Sequence, residues 1–167
     1  MAQVRIKIVL SIFLSSVLFV SGSEVYGSEP VIVTDKLSNF SLPIAFQGMI
    51  MCQKGNISNP LKGAMARLTC AVADKNGYPT APISVMSRRT DVKGYFYGSL
   101  RQSQIRKRGQ LLKVISCKVF LGYSPMETCS LPSDCNYGMS GANLSSPRVL
   151  QSKINLYSVS PMYYIGG

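Results

Sequence analysis

The chain has 167 residues, with 18 Lys or Arg against 7 Asp or Glu, no His and no Trp, and a formal charge of +11 at neutral pH. Without His it lacks the usual general base, the common catalytic triads and the commonest metal ligand. No Gly-rich phosphate loop follows a strand pattern and no carboxylate pair has the spacing of a shared site, so no catalytic residue, cofactor or metal site is assigned.

Residues 1–27 read as a secretory signal peptide. Arg5 and Lys7 form its positive start, residues 8–20 are apolar apart from a few serines, and small residues at 21–23 and Gly27 suit cleavage. The apolar run is shorter than the roughly 20 residues a spanning helix needs, and no later stretch reaches that length, so stable membrane insertion is not expected. An exported chain meets an oxidising compartment, where disulfides persist. Removing Arg5, Lys7 and Glu24 with the leader leaves 16 basic and 6 acidic side chains, a charge of about +10. Such a secreted protein is expected to meet acidic polysaccharide or another anionic surface rather than nucleic acid. The plainer use of this charge is solubility.

Residues 28–43 have mixed polarity, two prolines and no clean period, and read as a linker. Residues 44–167 then read as one domain of short strands. Phe46, Gly48, Ile50 and Cys52 alternate with their neighbours and so share one face of a strand. Residues 54–62 read as a loop by their Gly, Asn, Ser and Pro. Ala66, Leu68, Cys70 and Val72 share a face of the next strand, and Asn76-Gly77 marks a turn after it. A weaker strand covers 83–88. Another covers 94–100, with Phe96 and Gly98 on one face and Tyr95 and Tyr97 on the other. Over 114–121 the period of two groups Ile115, Cys117, Val119 and Leu121. Residues 123–147 are dominated by Gly, Pro, Ser and Asn, and a last strand covers about 152–159. The fold class expected is all-β, a small Greek-key-like sandwich or barrel of about seven strands.

Between the strands that carry Cys70 and Cys117 lies Thr90-Asp91-Val92-Lys93-Gly94, in which the Asp can bond its own backbone and the Gly admits positive φ. Three N-glycosylation sequons fall in stretches read as loops: Asn39-Phe40-Ser41, Asn56-Ile57-Ser58 and Asn143-Leu144-Ser145. Arg101, Arg106, Lys107 and Arg108 lie within eight residues with no acid among them. They read as a solvated basic loop and as the candidate polysaccharide-binding residues, with Arg88, Arg89 and Lys93 upstream. Tyr95, Tyr97, Tyr123, Tyr137, Tyr157, Tyr163 and Tyr164 are candidates to stack on sugar rings, against the ordinary use of Tyr in sheet packing.

Several of these motifs in order are similar to one family. They are Phe46-x-Gly48-x-Ile50-x-Cys52, Leu61-Lys62-Gly63-Ala64-x-x-x-Leu68-x-Cys70 and Thr90-Asp91-x-x-Gly94-Tyr95-Phe96. Cys117-Lys118-Val119-Phe120-Leu121-x-x-Ser124-Pro125-x-x-x-Cys129-x-x-Pro132, Asn136-x-Gly138-x-x-Gly141-Ala142-x-Leu144 and Tyr157-Ser158-Val159-x-Pro161 follow. The sequence resembles the pollen Ole e I allergen and extensin family of plants, especially its proline-rich seed and root-hair cell-wall branch. That resemblance implies a secreted, disulfide-bonded β-domain of the cell wall or pollen wall without known catalysis. Four cysteines alone allow three connectivities; the family pattern implies Cys52 with Cys129 and Cys70 with Cys117. The family's third bridge has no counterpart here, and Cys135 stands where the pattern has an aliphatic residue. The expected function is a non-enzymatic wall glycoprotein that binds pectin through its basic surface. The alternative is an interaction module serving a cell-surface receptor or other wall proteins.

Overall fold

The computed structural model describes residues 43–144 and 146–167. The signal-peptide reading, nearly all of the linker reading, the Asn39 sequon and Ser145 of the third sequon lie outside the described residues. The strands are β1 (Ile44–Lys54), β2 (Ile57–Pro60), β3 (Met65–Ala73), β4 (Pro79–Met86), β5 (Tyr95–Leu100), β6 (Arg106–Lys107) and β7 (Gln110–Leu111). They continue with β8 (Lys113–Tyr123), β9 (Leu131–Pro132), β10 (Ala142–Asn143), β11 (Arg148–Val149), β12 (Asn155–Ser158) and β13 (Met162–Ile165). The fold is all-β as expected, with eight described strands of four or more residues against the seven or so anticipated.

β1 organises the larger sheet. Its first half pairs with β12 in parallel and β5 in antiparallel, and its second half pairs with β13 in parallel and β2 in antiparallel. The smaller sheet has the order β10–β8–β3–β4 and is antiparallel throughout. β6 and β7 form a separate two-stranded ribbon.

The core unites the inward faces of both sheets. Phe46, Ile50 and Cys52 of β1 are buried with Ala66, Leu68, Cys70 and Val72 of β3, as their period of two requires. Two reciprocal cross-strand pairs join β1 to β5. Phe46 lies opposite Gly98, and Phe96 lies opposite Gly48. Each glycine leaves the room its neighbour's ring fills: a Cβ on Gly48 would sit 2.8 Å from Phe96 Cζ, and one on Gly98 would overlap the Phe46 ring. The two rings lie 6.2 Å apart and tilted, within the favourable range for aromatic pairs. Fully burying each ring contributes about 1.5–3 kcal/mol.

Three local readings change. On β8 the inward residue is Val114 rather than Ile115, because the register with β3 slips between Ala71 opposite Ser116 and Val72 opposite Val114. One extra residue in a strand moves everything beyond it to the other face. β2 occupies part of the stretch read as a loop. All four of its residues are exposed, so it carries no hydrophobic alternation and is held through its backbone ladder to β1. Positive φ at Gly55 makes the two-residue connection between β1 and β2. The last strand expected, about 152–159, is the shorter β12, and β13 follows it beyond Pro161 in a stretch where no strand was expected.

Candidate functional site

Residues 44–167 contain 15 Lys or Arg and four Asp or Glu. Three of the four carboxylates serve the backbone. Asp74 Oδ1 accepts the amides of Asn76 (2.8 Å) and Tyr78 (3.0 Å), and Asp91 Oδ1 accepts those of Lys93 (2.8 Å) and Tyr95 (2.9 Å). The two turns are copies of one design, Asp-x-x-Gly-Tyr, each with its glycine at positive φ: +87° at Gly77 and +75° at Gly94. Asp134 is the third. Its carboxylate accepts the Ser140 amide (2.7 Å), the Ser140 hydroxyl (2.9 Å) and the Met139 amide (3.0 Å). The Ser140 amide and hydroxyl hold its pKa below the ordinary carboxylate value, against desolvation and with a lesser contribution from the Met139 amide.

The basic residues are displayed by short elements. Arg101 precedes a 3-10 turn, Gln102–Ile105, and Arg106, Lys107 and Arg108 form the outer part of the β6–β7 ribbon. All four are exposed. The stretch read as a basic loop is therefore a small hairpin, seated by buried Ile105 and Leu112, whose backbones bond at 2.8 Å. Its tip, Arg108-Gly109, has positive φ at both residues, +49° and +79°, the type I′ pattern that matches strand twist. Lys107 and Arg108 line a hollow of about 270 Å³ with Asp74 and Thr80. Arg101 lines another, of about 160 Å³, with Arg88 and Tyr97. Arg106 donates to the Gly109 carbonyl across the hairpin at 3.3 Å. Arg89 lies 5.4 Å over the Tyr123 ring.

Of the seven tyrosines proposed for stacking on sugars, Tyr157 and Tyr164 are buried, and burial pushes the Tyr164 phenol up to about 12. Tyr95 donates its hydroxyl to Gln47 at 2.6 Å. Tyr137 is the most exposed of the set, at 66%. It stands in a groove of about 500 Å³ with Lys118, Asn136, Ser140, Asn143 and Ser160. In the sequence Asn136, Gly138 and Gly141 stand out only as part of the family motif, and nothing there marks a groove. The structure marks the place by its backbone: Asn136 and Tyr137 both have positive φ, +54° and +63°. Asn tolerates that region, but an aromatic residue there costs of order 1–3 kcal/mol and persists only when over-determined. Here the Asn136 amide donates to Pro161 O at 2.7 Å, Tyr137 N donates to Asp134 O at 3.0 Å, and Gly141 N donates to Tyr137 O at 2.8 Å.

The described disulfides are Cys52–Cys129 and Cys70–Cys117, the latter between residues directly opposite on β3 and β8. Cys135 is free and exposed. Asn56 stands exposed in the β1–β2 turn, whereas Asn143 lies on the short strand β10 rather than in a loop, with its side chain exposed to the groove.

Fold and surface together define a small, strongly basic, two-sheet β-domain carrying two buried cystines. No protein-family model matches the chain. It is 38% identical to the seed and root hair protective protein of Arabidopsis thaliana, over 98% of this chain and 96% of that protein. The chain belongs to that protein's family, the seed and root-hair branch of the pollen Ole e I allergen and extensin family. It is also 33% and 29% identical to proline-rich proteins 3 and 1 of Arabidopsis thaliana, over 73% and 74% of this chain. It spans only 37% and 34% of their lengths. The crystal structure of the major plantain pollen allergen Pla l 1 is similar with a TM-score of 0.43 and 17% identity, over 74% of this chain and 94% of that one. None of these relatives is named for an enzymatic activity.

Proposed function

We propose that the protein is a non-enzymatic, secreted cell-wall protein that holds acidic wall polysaccharide, pectin, on its basic surface and so contributes to wall structure. One observation carries this reading. Three of the domain's four carboxylates are committed to backbone turns, while Arg101, Arg106, Lys107 and Arg108 are held outward. The kinship with a seed and root hair protective protein supports the setting. Binding would sum many weak contacts between guanidinium or ammonium groups and uronate carboxylates. Arg is favoured because its planar fork meets a carboxylate with two hydrogen bonds.

Each exposed ion pair contributes only about 0–1 kcal/mol. Replacing Arg106, Lys107 and Arg108 together with Ser is therefore expected to weaken polygalacturonate binding about tenfold at low salt, about 1.4 kcal/mol. The melting temperature should stay nearly unchanged, and a neutral glucan serves as control. Raising the salt should weaken the parent towards the variant, since the Debye length falls to about 8 Å in physiological salt. Unchanged polygalacturonate binding by the variant would leave the hairpin a solvated ribbon. Tight, salt-insensitive binding to a surface protein would favour an interaction module instead.

A further inference from the structure

The groove beside Tyr137 has an attachment point in its own wall. Asn143, the acceptor of the sequon Asn143-Leu144-Ser145, lines it next to Lys118, its cross-strand partner. The same groove is lined by the exposed Tyr137 and by Asn136, Ser140 and Ser160, the Asn136 amide and Ser140 hydroxyl also bonding Pro161 O and Asp134. A flat aromatic face bordered by hydroxyl and amide groups suits a pyranose ring, whose axial C–H face is apolar and whose rim is polar. The volume of about 500 Å³ falls in the roughly 300–1,000 Å³ range of small-ligand sites, room for the first sugars of a glycan. The backbone holding Tyr137 is fixed before any ligand arrives, by Asp134 and Pro161, so ordering it costs binding nothing further.

We propose that this groove is a cradle for the protein's own N-glycan, whose first N-acetylglucosamine, attached to Asn143, lies against Tyr137. The attachment is the ordinary transfer of the secretory pathway. Asn143 Nδ2 bonds to C1 of the sugar of a lipid-pyrophosphate oligosaccharide, one amide proton is lost and the lipid pyrophosphate leaves. A free sugar binds such a shallow site weakly. A tethered one sees it at millimolar effective concentration or above and occupies it. The glycan thereby covers Tyr137 and closes the groove to free wall glycans. The proposal rests on the export reading given above.

The test is expression of the full chain in plant cells and mass analysis of the medium. Secretion with Asn143 glycosylated is expected. Secretion with Asn143 bare would overturn the cradle and leave export standing; retention in the cell would overturn both. On the secreted protein, peptide N-glycosidase A should release the Asn143 glycan at least tenfold more slowly from the native fold than after denaturation. Tyr137→Ala should abolish that protection. A thermal double-mutant cycle supplies the second readout. Ser145→Ala removes the sequon and leaves Asn143 in the wall; it should lower the melting temperature with Tyr137 present and leave it unchanged in the Tyr137→Ala background. Equal release rates from native and denatured protein, or additive effects in the cycle, would overturn the proposal.

Discussion

Thr90, Asp91 and Gly94 show how much a five-residue turn can carry. The buried Thr90 hydroxyl accepts the Ala64 amide at 2.8 Å and donates to the Leu61 carbonyl, tying the approach to β3. Gly94 lies against β1: its carbonyl accepts the Ile50 amide at 2.8 Å, and a Cβ on it would come within 2.5 Å of the Ile50 carbonyl oxygen. Gly94→Val therefore meets both a positive-φ penalty of about 1–2 kcal/mol and a backbone overlap that β1 must move to relieve. Asp91→Ala loses two exposed hydrogen bonds, about 1 kcal/mol. Denaturant midpoints should place Gly94→Val well below Asp91→Ala; equal midpoints would contradict this account of the turn. Tyr164 supplies a pH test. Burial raises its pKa to about 12, so the fold favours the neutral phenol, while the unfolded chain ionises near 10. Its contribution is whole below about pH 10 and lost as pH rises towards 12. Phenolate absorbance should show Tyr164 ionising only as the fold gives way, and Tyr164→Phe should flatten that alkaline loss. Ionisation of every tyrosine near pH 10 with the fold intact would refute it.

At the scale of elements, the β6–β7 hairpin is held by its base and strained at its tip. Ile105 and Leu112 anchor it, and Arg108 occupies the left-handed region that Asn or Gly takes more readily. Arg108→Asn should raise stability by a few tenths to about 1 kcal/mol, seen as a higher melting temperature at unchanged fold. A lower value would mean that the Arg108 side chain is held by contacts worth more than the strain. The elements also divide by how far their sequences announce them. β3 was legible because Ala66, Leu68, Cys70 and Val72 are all inward and all small or apolar. β8 was legible as a strand and in phase at Cys117 and Val119, but not at its start, since the slip near Ile115 is set by pairing with β3. β2 was illegible because an exposed ribbon buries no side chain that could mark it.

At the scale of the whole molecule, the two bridges do different work. Cys70–Cys117 crosses strands already paired in register, whereas Cys52–Cys129 fastens β1 to a 3-10 turn, Glu127–Cys129, in a stretch with few ladder bonds. They span 47 and 77 residues, and loop entropy assigns each about 4 kcal/mol. The local consequences should differ. Replacing Cys52 and Cys129 with Ala should open residues 124–141 to limited proteolysis before global unfolding. Replacing Cys70 and Cys117 should lower the global midpoint without such nicking. Identical cleavage maps for the two variants would remove the distinction.

By itself the sequence determined the all-β class, the inward cysteines, the central turn and the basic surplus. Each is set by residues close along the chain: a period of two, an Asp placed before a Gly, a count of charges. Tertiary structure decided what depends on distant partners. It set the parallel docking of β12 and β13 on β1, more than 100 residues away, because backbone ladders leave no side-chain signature. It divided the basic residues between two hollows, because each element carries its charges wherever its apolar base is seated. It also brought Asn143 and Tyr137 to one groove. That juxtaposition follows from β10 pairing with β8 while Asp134 folds the intervening chain back on itself.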